Sequence, residues 1–441
     1  MFDDTIYALS SGSGICAISL IRLSGPLVLS LLKDGFTKDL SMVQPRYATL
    51  AHPFCHDEVI DDVVITYFKA PHSYTGEDLL EISCHGSPLI RAKIFMWAQA
   101  HGCRLARHGE FSERAVLNGK MTLSQAEGIN DMIHARNASG LSIAYKSAHG
   151  SVQRLVEPLY EKALLIQAHL NVNIDYPEYE DIEQLNHQTL LPLVNDLTNA
   201  LSNLISISNR VMPIMQGINT VIVGKPNVGK SSLLNALLHE DKAIVSDIAG
   251  TTRDVVEGDI MVGSLPLHLL DTAGIREGAG TIESLGIEKS RELIDKADLV
   301  IMMIAQADGY DENDAIIMDL VKNHDPLLVN NKAEIQSKAG WINISASLDH
   351  IDPLIEAIHD RFDTIDATLY DQTLTNTRQL DLAQRAYDGL VEIKAQLNDQ
   401  LPLDLVELNL GEVIDHLANI MGRSYSEDLL DTIFANFCVG K

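Results

Sequence analysis

An apolar stretch, Thr220-Val221-Ile222-Val223, runs into Gly224-Lys225-Pro226-Asn227-Val228-Gly229-Lys230-Ser231. Apolar residues at Leu233, Leu234, Ala236, Leu237 and Leu238 follow with helical spacing. A buried strand, a glycine-rich loop and a helix that opens on Lys-Ser form the setting of a P-loop. The glycines let backbone N–H groups turn inward around phosphate oxygens, and the positive end of the helix dipole favours the same anion. Lys230 is placed to reach the β- and γ-phosphates, and the Ser231 hydroxyl to sit on Mg²⁺.

Three further segments follow in the order a GTPase requires. Gly250-Thr251-Thr252-Arg253-Asp254 lies in a polar stretch where a threonine can complete the Mg²⁺ shell. Leu267-His268-Leu269-Leu270 reads as a strand ending in Asp271-Thr272-Ala273-Gly274. There a carboxylate can hold the metal through water, and a glycine N–H can meet the γ-phosphate. Strands at Leu299–Ile304 and Leu327–Val329 then lead into Asn330-Asn331-Lys332-Ala333-Glu334. That run resembles the guanine-reading Asn-Lys-x-Asp motif, with Glu334 where aspartate is usual. A carboxylate at this point accepts from the guanine N1–H and 2-amino groups, which adenine does not supply, so GTP is expected rather than ATP. The extra methylene requires the loop to back away. Ser345-Ala346-Ser347, after the strand Trp341–Ile344, reads as the remaining base-contacting loop. Ile275 follows Gly274, and an apolar side chain positions no water. The bottom-up candidates for that task are Glu277, Glu283 or Glu288, or a group from a partner.

The 441 residues suggest two to four domains, and a hydrophobic content of 46% is enough for several cores. No apolar run approaches the length of a membrane span. Met1-Phe2-Asp3-Asp4 is acidic, so no leader peptide is expected. Five cysteines with no Cys-x-x-Cys point to a reducing cytoplasm. His52, Cys55 and His56, Cys84-His85, and His101 with Cys103 repeat no zinc-site spacing and read as ordinary thiols and histidines. Lys and Arg number 33 against 61 Asp and Glu, a net charge of −28. That balance argues against broad nonspecific nucleic-acid binding. Arg104, Arg107, Arg114 and Lys120 read either as a local basic patch or as scattered surface charge.

Residues 1–118 read as mixed α/β, with strands at Ile15–Ile21, Val63–Phe68 and Leu79–Ile82 and a helix over Leu89–Ala100. Thr122-Leu123-Ser124-Gln125 reads as a capping box. Apolar or small residues recur at Leu141, Tyr145, Ala148, Val152, Leu155, Leu159, Ala163, Ile166 and Leu170. That spacing predicts a long amphipathic helix, roughly 45 Å if continuous. Further helices fit Leu191–Ile207, Leu380–Leu397 and Leu405–Met421, and Ser426 is placed to cap a last one carrying Leu430, Phe434 and Phe437. A GTPase unit bracketed by helices suggests an insertion into one helical domain. The expected boundaries are 1–118, 119–214, 215–366 and 367–441.

Segments outside the nucleotide unit resemble one family, the tRNA modification GTPases MnmE (TrmE). They are Ile18-Ser19-Leu20-Ile21-Arg22-Leu23-Ser24-Gly25, Tyr74-Thr75-Gly76-Glu77-Asp78, Gly109-Glu110-Phe111-Ser112-Glu113-Arg114-Ala115 and Leu123-Ser124-Gln125-Ala126-Glu127. Ile174-Asp175-Tyr176-Pro177-Glu178, Asp247–Asp254 and the terminal Phe437-Cys438-Val439-Gly440-Lys441 belong with them. The resemblance implies an N-terminal α/β folate-binding domain that dimerises, and a discontinuous helical domain with an inserted Ras-like P-loop GTPase domain. It implies a homodimer working with an MnmG (GidA)-type flavoprotein that carries FAD, as a heterotetramer. The pair acts on tRNA, adding an aminomethyl-type group to C5 of wobble uridine 34. A tetrahydrofolate derivative, 5-formyl or 5,10-methylene, supplies the carbon. GTP hydrolysis drives a conformational cycle.

Carried over by position, the resemblance assigns GTP contacts to Asn227, Val228, Gly229, Lys230, Ser231 and Ser232. It adds Ser246, Asp247, Ile248, Ala249, Gly250, Thr251 and Thr252, then Asp271, Thr272, Ala273 and Gly274. Asn331, Lys332, Glu334, Ser345 and Ala346 serve the base. Ser231 and Thr252 are the implied Mg²⁺ ligands. Asn227, Ser246, Ile248 and Thr251 are the implied K⁺ shell, with the ion standing where other GTPases place an arginine finger. Glu283 matches the water-orienting glutamate. Arg22, Glu81, Lys120 and Lys441 match folate-contacting positions, and Cys438 matches a cysteine the family needs. Ser10-Ser11-Gly12-Ser13-Gly14 lacks the arginine often found in that loop, and Ser246 stands where threonine is usual. A GTP-driven ribosome or RNA assembly factor shares the nucleotide segments, and folate binding discriminates between the two. A family member that binds without turnover is the other alternative, because of Glu334.

Overall fold

The computed structural model describes residues 2–55, 58–135, 137–175, 187–239, 258–263, 265–270, 291–362, 367–424 and 427–440. Contacts divide the chain into two units, Met1–Asn130 with Ile414–Lys441, and Asp131–Val413.

In the first unit the strands are β1 (Ile6–Leu9), β2 (Ile18–Ser24), β3 (Ala48–Ala51), β4 (Phe54–Cys55), β5 (Glu58–Val59), β6 (Val63–Phe68), β7 (Leu79–His85) and β8 (Arg104–Leu105). Helices α1 (Val28–Asp34), α2 (Pro88–Ala100) and α3 (Glu110–Leu117) lie between and after them. Six strands form one sheet in the order β3-β6-β7-β2-β1-β8, antiparallel except for the β1–β8 pair. The period of two decides what each face carries. Strand β2 buries Ser19, Ile21 and Leu23 and turns Leu20 and Arg22 the other way, while β7 buries Ile82 and Cys84 and turns Glu81 and Ser83 outward with them. The inner face meets Leu31 and Leu32 of α1 and Ile94 and Trp97 of α2. Each such fully buried side chain contributes roughly 1.5–3 kcal/mol. The Trp97 indole is satisfied by the Gly35 carbonyl at 2.9 Å. Arg91 of α2 donates to the carbonyls of Gly12, Ser13 and Gly14, so the loop that has no arginine of its own is held by one from a helix.

Helix α4 (Leu123–His134) opens on the expected capping box. The Thr122 N–H donates to Gln125 Oε1 at 2.9 Å and the Gln125 N–H to Thr122 Oγ1 at 3.3 Å. A C-terminal helix, Glu427–Phe434, buries Leu430 and Phe434, with Phe437 beyond its end, against Val116, Leu123 and Ala126. Ser426 lies outside the described residues.

The second unit begins with α5 (Ala138–Ala148), α6 (Ser151–Asp175) and α7 (His187–Gln216). The single long helix expected over Leu141–Leu170 is two, because Gly150 takes φ +81° and its N–H closes on the Ser147 carbonyl at 2.8 Å. Apolar spacing continues across the break, which hides it from a periodicity argument. The buried face of α5 is Ile143, Ala144 and Ser147, while Leu141 and Tyr145 are exposed. Strand β2 likewise starts at Ile18 rather than Ile15 and continues to Ser24.

Helix α7 passes through Gly217, at φ +107°, directly into β9 (Ile218–Val223). Then come α8 (Lys230–His239), β10 (Gly258–Val262), β11 (Leu265–Leu269), β12 (Leu299–Ile304), α9 (Glu312–Val321), β13 (Leu327–Asn330), β14 (Ile342–Asn343) and α10 (Asp352–Phe362). The sheet order is β10-β11-β9-β12-β13-β14, parallel except for the β10–β11 pair. Successive strands lie on opposite sides of β9, so the loop leaving β9 sits at a topological switch point, where open α/β sheets bind ligands. The core beneath it joins Val211 and Ile214 of α7 to Ile222, Leu267 and Ile301 of the sheet. Helix α11 (Thr377–Asn398) packs back along α7, and the Leu374 N–H ahead of it reaches Ser208 Oγ at 2.9 Å. Helix α12 (Leu403–Met421) follows. The sheet unit is thus bracketed by helices that pack on each other. Among the described residues no helix is long and apolar enough to cross a membrane.

Candidate functional site

The loop from β9 to α8 is packed too tightly for side chains at its glycines. A Cβ on Gly224 would meet the Met303 carbonyl oxygen at 2.4 Å, and one on Gly229, at φ +101°, would meet Asn331 Nδ2 at 2.1 Å. Asn227, at φ +65°, is left-handed and exposed. Asparagine is among the few non-glycine residues that take this conformation readily, which is one physical reason for its presence at the crest. Lys230 starts α8 and donates from Nζ to the carbonyls of Gly224 at 2.5 Å and Lys225 at 2.9 Å. Among the described residues it pairs with no carboxylate. Burial pulls its ammonium down to about 8. Ser231 and Ser232 occupy the first turn of α8 beside it. A glycine cradle with a partly desolvated ammonium and a hydroxyl at a helix start fits a phosphate chain and its Mg²⁺.

A charged phosphate stabilises the protonated form of Lys230, so binding takes up a proton once the pH passes the value of the free site. Affinity for GDP is therefore expected to be full near pH 7 and to fall as pH rises through about 8, by at most about tenfold per unit. Titration calorimetry from about pH 7 to about pH 9 checks this, and a flat profile would refute it.

Asn331 is buried and joins three loops. Its Nδ2 donates to the Val228 carbonyl at 2.9 Å, and its Oδ1 accepts from the Ala346 N–H at 3.0 Å. Lys332, in left-handed backbone at φ +57°, pairs through Nζ with Asp308 at 2.6 Å. The Ser345 hydroxyl donates to Glu334 Oε2 and holds that exposed carboxyl below the usual range. The longer side chain is thus anchored on the second base loop. Sequence reasoning missed Asn330, fully buried next to the motif. It accepts from the Gln306 N–H at 2.9 Å and donates to Asn343 Oδ1 at 2.8 Å, so it frames the base loop. A second asparagine before the motif was the available signal.

The expected residues Ser246, Asp247, Ile248, Ala249, Gly250, Thr251 and Thr252 lie outside the described residues. So do Asp271, Thr272, Ala273, Gly274, Ile275, Glu277, Glu283, Glu288 and Lys441.

The first unit carries a second polar site. Arg22 and Glu81 are cross-strand partners on the outer sheet face, and Glu81 Oε1 accepts from Arg22 Nη2 at 2.8 Å and Nε at 3.1 Å. The guanidinium lies over the rings of Tyr74, 5.2 Å from its centroid, and Phe111, at 5.8 Å. Burial pushes the Tyr74 phenol up. Arg22 Nη1 also donates to the Gly440 carbonyl at 3.3 Å, as does Ser10 Oγ at 3.0 Å. Val439 bridges to His108, and the Gly109 N–H reaches the Cys438 carbonyl. The C-terminal tail is thus strapped beside the Arg22–Glu81 pair, and the exposed Cys438 lies in the strap. Lys120 donates to the Pro71 carbonyl at 2.8 Å, along the segment whose Tyr74 packs on Arg22. Tyr74 and Phe111 lie in the family-like segments Tyr74–Asp78 and Gly109–Ala115, and their part in this site exists only in the fold.

Arg104, Arg107 and Arg114 form neither a basic patch nor scattered charge. Arg104 pairs with Asp4 and Glu110, Arg107 with Glu113 and Asp431, and Arg114 with Asp4, Glu77 and Glu110. Among the described residues no three His, Cys, Asp or Glu side chains converge to hold a metal. Burial pushes the thiols of Cys84 and Cys103 up to about 11.

The family described as MnmE helical domain matches residues 123–438, and that described as GTP-binding protein TrmE N-terminus matches residues 5–120. Among solved structures, Aquifex aeolicus Era bound to GDP and AlF4⁻ is 27% identical, with 39% of this chain and 66% of that one covered and a TM-score of 0.26. The tRNA modification GTPase MnmE of Bacillus subtilis is 36% identical over 99% of this chain and 100% of its own length. That of Clostridioides difficile is 36% identical over 100% and 99%. With both sites in place and relatives matching end to end, this chain belongs to the tRNA modification GTPase MnmE family.

Proposed function

We propose that this protein hydrolyses GTP in the service of tRNA modification. Together with an MnmG-type flavoprotein, a homodimer of it adds an aminomethyl-type group to C5 of wobble uridine 34, with a tetrahydrofolate derivative as carbon source. The observation that carries this reading is the strap of Cys438–Gly440 beside Arg22 and Glu81. A P-loop alone is common to many GTPases of other purpose. A second site joining both ends of the chain, with a cation for a glutamate tail and a carboxylate for pterin N–H donors, favours the modification enzyme over an RNA assembly factor. Exposed Leu50 and Val64, paired across the edge of the sheet, support a homodimer through the N-terminal unit. We also infer the inserted GTPase domain at 215–366. Nucleoside analysis of tRNA from cells lacking this protein tests the reading: loss of the C5 substituent at position 34 is expected, and unchanged wobble uridine rejects it.

When bound, Mg²⁺ and K⁺ supply positive charge against the charge developing on the phosphates. Ser231 is the described hydroxyl that would hold the first, and Asn227 presents an exposed amide for the second. Lys230 neutralises the phosphate chain, and Asn331 fixes the base loop against it. GTP hydrolysis is expected to run much faster in KCl than in NaCl at equal ionic strength. Equal rates remove the K⁺ role of Asn227 and leave its backbone conformation as the reason for the residue.

A further inference from the structure

The segment after β12 receives ties from both nucleotide loops. From the base side, the Gln306 N–H donates to Asn330 Oδ1 at 2.9 Å, and Asp308 accepts from Lys332 Nζ at 2.6 Å. The Tyr310 ring lies 4.6 Å from Lys338 Nζ, whose other neighbour is the Trp341 ring at 4.3 Å. From the phosphate side comes one residue, Lys225. Its Nζ donates to the Gly309 carbonyl at 2.8 Å and lies 3.0 Å from Asp311 Oδ2 and 2.9 Å from Asp314 Oδ2. Those two aspartates form the capping box that starts α9. Asp314 is 1% exposed and the Lys225 side chain 12%, so this pair is screened far less than a surface ion pair. The Lys225 carbonyl is also one of the two oxygens under the Lys230 ammonium.

We propose that Gln306–Asp314 is a brace that couples phosphate grip to base reading, with Lys225 as the positioning residue at its phosphate end and Asp308 at its base end. The inference rests on the reading of this site as a guanine nucleotide site. The Lys225 ammonium is taken up by the Gly309 carbonyl, Asp311 and Asp314. It acts by fixing the wall of the loop on which Lys230 rests against the same segment that Lys332 holds. A shift of the segment moves both loops, so the two recognitions are linked through one short element.

GDP and IDP share a diphosphate and differ in the 2-amino group, so their affinity ratio reports base reading alone. Titrating both into the full-length protein with Mg²⁺, Lys225→Met is expected to weaken GDP and also to narrow the GDP-to-IDP preference about fivefold. Lys225→Arg is expected to restore the preference. Asp311→Asn keeps a good N-cap while removing one charge, so it should move the ratio the same way by less, without unfolding α9. Asp308→Asn, at the other end, should weaken inorganic diphosphate as well as narrow the ratio. Equal weakening of GDP and IDP by Lys225→Met overturns the brace and leaves Lys225 as a local support of the phosphate loop. A wild-type protein that binds both alike overturns the guanine reading itself. If Lys225→Met fails to fold, by circular dichroism, Asp311→Asn decides: an unchanged ratio in that variant sinks the proposal.

Discussion

Gly229→Ala is expected to cost at least about 100-fold in GDP affinity. The added Cβ would sit 2.1 Å from Asn331 Nδ2 at a residue with φ +101°. A flexible side chain would step aside, but Asn331 is 3% exposed and tied at both ends of its amide. Moving it strands the Val228 carbonyl and the Ala346 N–H, and an unmade buried hydrogen bond costs about 1–3 kcal/mol. Backbone strain for an L residue in this region adds about 1–3 kcal/mol. Together these exceed the roughly 2.7 kcal/mol that a 100-fold loss represents, so the loop is expected to relieve them by leaving the shape that binds nucleotide. Fluorescent-GDP titration checks it, with circular dichroism to show that the fold is retained. Binding within about threefold of wild type would mean that the base loop yields easily, and the tie through Asn331 would lose its weight.

The same residues show what a sequence discloses and what it does not. The P-loop strand, β12 and β6 were readable because an apolar run bounded by glycine or polar residues has one economical use in an α/β unit. The Thr122–Gln125 capping box was readable because both of its partners lie within four residues. Lys225 was silent because its carboxylates lie 86 positions on and beyond, in a helix start that is unremarkable by itself. Arg104, Arg107 and Arg114 read either as a basic patch or as scattered charge, because Asp4, Glu77 and Asp431 are remote in sequence and the nearby Glu110 and Glu113 do not announce themselves as partners. The break at Gly150 was hidden by apolar spacing that continues through it. Local chemistry is legible in one dimension, whereas charge pairing and the two-loop tie of Asn331 exist only once the sheets bring distant segments together.

Arg114→Met is expected to destabilise the N-terminal unit by about 3–5 kcal/mol, the usual consequence of removing one partner from a buried ionic cluster. The side chain is fully buried. Its Nη2 reaches Asp4 Oδ1 at 2.7 Å and Glu110 Oε1 at 3.0 Å, its Nη1 reaches Glu77 Oε1 at 3.2 Å, and the guanidinium carbon lies 4.3 Å from the Phe2 ring centroid. Methionine keeps much of the volume, so the loss is one of charge. Burial alone would push the Glu110 carboxyl up; hydrogen bonds from Arg104, the Arg107 N–H and Arg114 hold it below its ordinary value. In the wild type that group adds stability above the unfolded carboxylate value, and the gain is lost as pH falls through the folded one. Without Arg114 one of the three hydrogen-bond donors that hold the Glu110 carboxyl down is lost. The folded value of Glu110 rises, its protonation comes at higher pH, and acidification relieves part of the penalty. The melting temperature should drop by about 10 °C at neutral pH, with the gap to wild type narrowing toward about pH 5. A gap under about 2 °C, or one that widens on acidification, would show that the cluster does not depend on this cation. The loss also reaches the second site. Arg114 and Glu110 fix α3, which carries Phe111, and Glu77 belongs to the segment that carries Tyr74, so the two rings under Arg22 lose their common support. If the Arg22–Glu81 site takes folate as proposed, affinity for 5-formyl-tetrahydrofolate is expected to weaken even at temperatures where the variant is still folded.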